Sequence, residues 1–299
     1  MNEMKKIAFI GLGTMGFPMA KRLIASGYQL SVYDVSKKAL SKFSKQEVRL
    51  SNSSADAAID VDYCITMLPK SEDVHEAILG KKGAINSLKK NSMVIEMSTI
   101  LPDVTHSIHQ KLSKNNINMI DAPVGRTPNE AVTGELLVIA GGEPKHIEIA
   151  KPILEIIGNE IIHVGALGSG IKMKLVNNYM SMVGMVMTAE TISFAKNVGI
   201  DQDKAVKILQ ETTAGKGQIN VNFPKKVLAG DLTPDFPLKM GLKDISLALQ
   251  LGTESGLSLN LGRIAKEYFA LAKKFDRQDQ DCTAMLHLIE DIANLKKEK

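Results

Sequence analysis

A stripe of polar side chains interrupts the largely apolar segment GIKMKLVNNYMSMVGMVM, residues 170–187. Lys174, Asn178 and Ser181 are spaced i, i+4 and i+7 with Asn177 beside them, so a helix places all four on one face. An unpaired buried ammonium group costs several kcal/mol, and a partly desolvated lysine has a lowered pKa that suits proton transfer. We therefore expect Lys174 to be the general acid or base for a bound ligand, with Asn178 orienting it.

A structural alternative for this stripe stays open, in which the lysine reaches solvent and the asparagines bond to neighbouring backbone. The uncharged part of the segment is too short for a membrane span, which needs about 20 predominantly apolar residues. A helix that is apolar nearly all round is typically buried. We expect one long buried helix over residues 169–196.

The N-terminal segment carries a dinucleotide-binding pattern. GLGTMG has Gly11, Gly13 and Gly16 at its fixed positions and Thr14 and Met15 between them, and it separates an apolar run from a helical pattern. In this context the first glycine permits a tight turn and the second lets the backbone approach a pyrophosphate. The third lets the helix pack closely on the strand. A glycine-rich turn without a ligand is the alternative.

An acid ends the next apolar run, QLSVYD. A carboxylate at Asp34 accepts hydrogen bonds from ribose hydroxyls and repels a 2′-phosphate, so the sequence favours NAD(H) as cofactor. Lys37 and Lys38 lie close enough in the sequence to leave use of both NADH and NADPH open.

Further cofactor contacts are expected at the carboxyl ends of the following strands, because ligands of open α/β sheets bind there. The residues at these ends are Met67, Leu68, Pro69 and Thr99. Met67 and Leu68 have ordinary strand core as an alternative.

Short β-rich runs alternate with helical spacing through the first half of the chain, which predicts βαβ units and a parallel sheet covered by helices. The predicted strands are 6–11, 29–34, 62–68, 92–98, 117–124 and 135–141. Helical patterns at 201–211, 219–229, 238–255, 260–275 and 281–296 follow the long helix. The predicted fold is a Rossmann-type doubly wound α/β domain over 1–164, then an all-α domain over 165–299.

Composition excludes several classes of function. A net charge of +4 with 4% aromatic residues and no Trp does not match a single-stranded nucleic-acid surface. Cys64 and Cys282 are too far apart for a zinc or disulfide framework, and His106 and His109 lack a nearby acid cluster, so no metal is expected. The glycine-interrupted N-terminus lacks a signal-peptide pattern. We expect a cytoplasmic protein with a small anionic ligand and a solvated tail, KKEK.

Four segments together resemble the β-hydroxyacid dehydrogenases, relatives of 3-hydroxyisobutyrate and 6-phosphogluconate dehydrogenases. They are GLGTMGFPMAKRL, DAPVGRTPNEAVTGELLVIAGG, GALGSGIKMKLVNN and FPLKMGLKDISLAL. The resemblance implies that Lys174 is the catalytic lysine, that Asn178 is its partner and that Lys243 lies by the cofactor. It also argues against the imine-reducing relatives, which usually lack this lysine.

One departure concerns the substrate: family members that bind a carboxylate usually have DAPVSGG where this chain has DAPVGRT. The GRT turn, with NNYMS, TTAGKGQ and RQD elsewhere, resembles the 3-sulfolactaldehyde reductases of sulfoquinovose breakdown. A sulfonate has three acceptor oxygens, which Arg126 can bind with parallel charge-assisted bonds. The expected substrate-binding residues are Gly125, Arg126, Thr127, Asn177, Asn178 and Ser181.

Alternatives remain for this substrate side. Arg126 can instead form a surface ion pair, and the substrate can be 3-hydroxyisobutyrate or the succinic semialdehyde and 4-hydroxybutyrate pair. A catalytically idle NAD-binding protein is the rival of another class. Gly215 to Gln218 are candidates to approach the substrate, and Gln278 and Asp279 either cap a helix or close the site. The helical half predicts a homodimer or homotetramer.

Overall fold

The structure is a computed structural model that describes residues 5–43 and 48–293. The chain divides into two compact units, Met1–Met180 and Ser181–Lys299. The predicted division at 164/165 falls just before the long helix, whereas these units divide within it. The tail KKEK and the end of the predicted helix 281–296 lie outside the described residues.

Unit 1 contains one mixed sheet, and this confirms the predicted Rossmann-type α/β fold. Its strands are β1 Lys6–Ile10, β2 Gln29–Tyr33, β3 Arg49–Leu50, β4 Tyr63–Thr66, β5 Met93–Glu96, β6 Asn118–Asp121, β7 Val124–Gly125, β8 Leu136–Gly141 and β9 Gly158–Gly165. They are ordered β3-β2-β1-β4-β5-β6-β8-β7, and β9 pairs with β8. Strands β1 to β6 are parallel.

Strand β8 corrects the expectation of a wholly parallel sheet, because it runs antiparallel to β6 and β7. The connection from Gly125 to Leu136 is shorter than the dozen or more residues that a parallel crossover needs. The chain therefore turns back along the extended segment 118–125. Strand β9 then continues parallel to β8.

Helices cover both faces of this sheet. They are α1 Gly16–Ala25, α2 Lys37–Leu40, α3 Ser54–Ala57, α4 Ser71–Leu79, α5 Pro102–Ser113, α6 Pro128–Thr133, α7 Pro144–Ile157 and the first part of α8 Ser169–Asn197. Successive strand side chains point to opposite faces. Phe9 and Ile65 accordingly lie in one buried cluster, and Ile10 and Cys64 lie in the other.

Unit 2 is helical. After α8 it contains α9 Gln202–Glu211, α10 Thr213–Lys216, α11 Asn222–Lys225, α12 Leu238–Glu254, α13 Asn260–Leu271 and α14 Met285–Ile292. Its buried cluster consists of Leu238, Ala272, Ala284 and Leu288.

Three helical expectations for unit 2 need correction. Residues 219–229 form only the short α11 and a 3₁₀ turn, since Pro224 cannot donate a backbone hydrogen bond. No helix was predicted over TTAGKGQ, which contains the short α10. The last helix is preceded by a 3₁₀ turn, because the Asp281 carboxylate accepts the amide of Thr283.

Helix α8 corrects a further expectation, because a single chain does not bury it. Only Gly170 and Ile171 are buried along its length, whereas Tyr179 is 74% exposed and Met185 65% exposed. Among the residues that the structure describes, no helix has the length and apolarity that a membrane span requires.

Candidate active site

The GLGTMG loop connects β1 to α1, and steric contacts dictate two of its glycines. Gly11 has φ +97°, and a Cβ there would meet the Met67 carbonyl oxygen. A Cβ on Gly16 would meet the Gly11 carbonyl oxygen. A Cβ on Gly13 would meet nothing within 4 Å, although Gly13 lines a cavity. The fold thus requires Gly11 and Gly16, while Gly13 keeps a cradle open on the side where a pyrophosphate binds in such folds.

Asp34 follows β2 at the edge of the same cavity. Its Oδ2 accepts the Leu12 amide at 2.7 Å and its Oδ1 accepts the Ser36 amide at 2.7 Å. Each carboxylate oxygen has a second lone pair, so the side chain is held in place and still has acceptor capacity for ribose hydroxyls.

This cavity has a volume of about 600 Å³. Most of the predicted cofactor residues line it, namely Gly11, Gly13, Thr14, Met15, Gly16, Asp34, Met67, Leu68 and Pro69. Thr99 is exposed and is not in its lining. The cavity is also lined by Ser53, Ser54, Asp73, Glu76 and Lys82, which sequence reasoning missed. The sequence carries a signal for part of this set. Ser53 is a typical N-cap residue that lies between β3 and the start of α3.

A second cavity, of about 780 Å³, lies on the other side of the glycine loop. Gly13 and Thr14 line it together with Pro128 and Asn129 at the start of α6. The segment just after the GRT turn therefore lies next to the dinucleotide loop. Neither Arg126 nor Lys174 is in the lining of these two cavities.

The polar stripe of α8 is only partly buried. Lys174 and Asn178 are half-buried, and Asn177 and Ser181 are exposed. The Asn177 side chain donates to Asn178 Oδ1 at 3.3 Å. Burial lowers the pKa of Lys174, which is the direction that the sequence predicts for a proton-transfer lysine.

Arg126 directly follows β7 and has a left-handed backbone conformation, with φ +73°. Its guanidinium donates to the Glu135 carbonyl and to Asn159 Oδ1, and it pairs with Glu160 Oε2 at 3.1 Å. Gly125 is buried and pairs with Leu137 in β8. The structure thus places Arg126 in an exposed ion pair, the alternative that the sequence left open.

Thr127 is the N-cap of α6. Its hydroxyl donates to Glu130 at 2.5 Å and accepts the Asn129 amide at 3.3 Å, and Glu130 accepts the Thr127 amide at 2.8 Å. The hydroxyl expected to bind substrate is therefore already used in a capping box. Its signal was present in the spacing TPNE, a Thr followed three residues later by Glu.

The remaining candidates lie in unit 2. Lys243 pairs with its neighbour Asp244 at 2.9 Å. Asp279 pairs with Lys239 at 2.6 Å, and the Gln278 carbonyl accepts the Lys239 amide. These contacts tie Gln278 and Asp279 to the first turn of α12. The described residues contain no group of three side chains suited to hold a metal ion.

Comparison with known proteins identifies the family. A model for the NAD binding domain of 6-phosphogluconate dehydrogenase matches residues 6–165. A model for the NAD-binding of NADP-dependent 3-hydroxyisobutyrate dehydrogenase matches residues 168–289. The chain belongs to the 3-hydroxyisobutyrate dehydrogenase family of β-hydroxyacid dehydrogenases.

Individual members of this family match most of the chain. The 3-sulfolactaldehyde reductase of Escherichia coli strain K12 is 38% identical over 98% of both chains. Human mitochondrial 3-hydroxyisobutyrate dehydrogenase is 31% identical over 91% of this chain and 84% of its own. A structure of Mycobacterium tuberculosis 3-hydroxyisobutyrate dehydrogenase with L-serine is 27% identical. It covers 96% of this chain and 99% of its own with a TM-score of 0.66.

Membership in this family establishes the general chemistry. The chain is an NAD-dependent oxidoreductase that acts on CH–OH groups. The open cradle at Gly13 and the acceptor capacity of Asp34 fit this cofactor.

Proposed function

We propose that this protein reduces 3-sulfolactaldehyde to 2,3-dihydroxypropane-1-sulfonate with NADH, reversibly, and that Arg126 binds the sulfonate. The observation that carries the proposal is the identity and conformation of Arg126. It stands where carboxylate-binding relatives usually have glycine, and its φ of +73° is one that glycine adopts readily. The relative that is 38% identical over nearly the whole chain is named for the same substrate.

Backbone strain supports a functional role for Arg126. A left-handed conformation costs a residue with a Cβ about 1 kcal/mol or more. Strain of this kind clusters at functional sites. The exposed ion pair of Arg126 contributes only about 0–1 kcal/mol, which does not clearly offset this cost. We therefore infer that the arginine side chain has a further role.

The contacts of Arg126 suit exchange for a ligand. Its partner Glu160 has a half-exposed side chain, so water can solvate the freed carboxylate. A sulfonate offers the guanidinium two parallel charge-assisted bonds. On substrate binding, the guanidinium leaves Glu160 and Asn159 and pairs with the sulfonate.

Lys174 is the general acid in this proposal. Bound NADH supplies the hydride that reduces the aldehyde carbon. Lys174 gives its proton to the carbonyl oxygen, and in the reverse direction it takes the proton from the hydroxyl. The lowered pKa of Lys174 eases both transfers, and Asn178, one turn further along α8, orients the amine or the hydroxyl.

We also propose that a second copy of this chain covers α8, giving a homodimer or a higher homo-oligomer. Met182, Met185 and Val186 are all more than half exposed. Large apolar side chains that are exposed side by side on one helix are typical of an interface in soluble proteins.

The decisive experiment compares kcat/KM for sulfonated and carboxylated C3 and C4 substrates, with NADH and NADPH side by side. We expect a preference for the sulfonate and for NADH. In Arg126→Ala, kcat/KM for the sulfonate should fall about 100-fold, as expected when one partner of a charge-assisted pair with the substrate is removed, with a smaller loss for 3-hydroxyisobutyrate. A wild-type enzyme that oxidises 3-hydroxyisobutyrate far more efficiently than it turns over the sulfonate pair contradicts the proposal.

A carboxylated substrate is the second candidate, favoured by the 31% identical human 3-hydroxyisobutyrate dehydrogenase and by the ion pair of Arg126 with Glu160. Under this alternative, which includes succinic semialdehyde and 4-hydroxybutyrate, Arg126→Ala should reduce kcat/KM equally for both anion classes.

A further inference from the structure

A pair of buried carboxyl groups lies at the edge of the parallel sheet where β5 and β6 end. Glu96 and Asp121 are register partners on these neighbouring strands, and both have 0% relative exposure. Carboxyl groups are rarely buried without partners, because desolvation of the charge is costly. The contacts of the two groups therefore indicate what the pair does.

Asp121 bonds to the start of helix α8. Its Oδ1 accepts the Gly168 amide at 2.6 Å and its Oδ2 accepts the Ile171 amide at 2.8 Å. The first amides of a helix have no partners within the helix. Asp121 supplies acceptors for two of them from a position 47 and 50 residues earlier in the chain.

Two glycines allow this approach. A Cβ on Gly141 would lie 2.6 Å from Asp121 Oδ1, and a Cβ on Gly170 would lie 2.8 Å from Asp121 Oδ2. A Cβ on Gly170 would also meet the Ile139 carbonyl oxygen. The backbones of β8 and α8 thus pack directly against this one carboxylate.

We infer that Asp121 is a positioning residue, which holds Lys174 in place by fixing the start of the helix that carries it. Lys174 follows Gly170 by four residues, so it lies on the same helical face and about 6 Å further along the axis. A rigid first turn therefore sets both the rotation and the height of the amine. This inference rests on the proposed role of Lys174 as general acid.

Glu96 provides a matched comparison because it is equally buried but does not bond to α8. Its Oε1 accepts the Ser98 amide at 2.7 Å, and its Oε2 has no hydrogen-bond partner among the described residues. Burial raises the pKa of Glu96 to about 8, so it is mostly protonated at neutral pH. Burial also raises the pKa of Asp121, but the amides of Gly168 and Ile171 oppose this shift. Both oxygens of Asp121 accept amides at the start of α8, and these contacts favour a carboxylate at Asp121.

The test compares Asp121→Asn with Glu96→Gln and Lys174→Ala in the full chain at pH 7. The measurements are kcat, KM, the dissociation constant for NADH, and amide hydrogen exchange over residues 168–180.

In Asp121→Asn one acceptor becomes an amide donor that faces a helix amide. We expect kcat to fall about 10- to 100-fold, as for a displaced catalytic group, with faster exchange at the start of α8. NADH affinity should stay within about twofold, because Asp121 is not in the cofactor cavity. The Glu96→Gln enzyme should keep kcat within about twofold of the wild-type value.

Each outcome decides between a positioning role and general structural damage. Unchanged kcat in Asp121→Asn despite faster exchange overturns the inference, as does an equal loss of kcat in Glu96→Gln. Full activity of Lys174→Ala would contradict the proposed role of Lys174 as general acid. The inference about Asp121 would then also be overturned, because it depends on that role. If Asp121→Asn does not fold, Gly170→Ala displaces the helix while the carboxylate stays, and unchanged kcat there overturns the inference.

Discussion

The cofactor cavity of unit 1 and the exposed face of α8 are built in different ways. Around the cavity, backbone conformation and close packing determine the residue type, as at Gly11 and Gly16. Along α8, the polar stripe and the apolar side chains around it project from one helix and remain largely exposed in a single chain. The lining of the cavity lies within unit 1, whereas α8 leaves most of its side chains exposed in a single chain.

The largest effect should come from the α8 side of this comparison. Loss of a general acid typically lowers the rate 10²- to 10⁴-fold, so Lys174→Ala should reduce kcat by this order while NADH still binds. Lys172→Ala is the control, since Lys172 is exposed on the same helix and should leave kcat unchanged. Steady-state kinetics measure kcat, and fluorescence titration measures NADH binding. Equal losses of kcat in both variants would contradict a specific role for Lys174.

The buried carboxyl group of Glu96, at the end of β5, should make stability depend on pH. The pKa of Glu96 is raised in the folded state to about 8 from an ordinary value of 4.5. The folded state thus binds more protons than the unfolded state between these values, and stability is lost as the pH rises through this window, by on the order of a few kcal/mol. Thermal unfolding of wild type and Glu96→Gln from pH 5 to pH 9 checks this. We expect the Tm of wild type to fall more steeply, and parallel curves would rule out the raised pKa.

Two glycine substitutions can separate packing from ligand binding within the cofactor cavity. Gly16→Ala forces a methyl group against the Gly11 carbonyl and should destabilise the fold by about 1–3 kcal/mol. Gly13→Ala has free space in the protein itself. It should leave the Tm unchanged and weaken NADH binding about tenfold, a loss of about 1.4 kcal/mol. Thermal unfolding and NADH titration measure both, and a stable Gly16→Ala or a tightly binding Gly13→Ala would break the comparison.

The last prediction tests whether another copy covers α8. Met182 is 59% exposed, and a lysine there would place a charge in an apolar interface. We expect Met182→Lys to weaken self-association at least about tenfold, observed by light scattering over a concentration series. Ile59→Lys should have no effect, because Ile59 is 52% exposed but lies in unit 1, away from α8 in the sequence. Unchanged assembly of Met182→Lys would show that this face lies outside the interface.

Local patterns made much of the cofactor side predictable. The glycines of GLGTMG act through contacts with neighbouring backbone, and Asp34 follows directly from the end of β2. Short β-rich runs between helical patterns likewise predicted six strands, because a strand buried on both faces of a sheet is a short apolar run. Strands β3 and β9 were missed, since β3 has only two residues and β9 has only one buried residue. The predicted run 117–124 did not separate β7 from β6.

The substrate side was less predictable because its contacts join distant parts of the chain. The spacing of TPNE was sufficient to predict the cap at Thr127, but the partners of Arg126 at Asn159 and Glu160 come from another strand. The stripe on α8 predicted which residues share a face, and its apolar composition predicted a burial that a single chain does not provide.

By itself, the sequence determined the dinucleotide loop, the acid that follows β2 and the face that carries Lys174, because each depends on residues within a few turns or one strand of each other. Only the tertiary structure decided that β8 runs antiparallel, that Arg126 pairs with Glu160 and that Asp121 bonds to the start of α8. The physical reason is that hydrogen bonds and ion pairs depend on distances of a few ångströms between atoms, and local spacing cannot specify such distances between segments that meet only after the chain has folded.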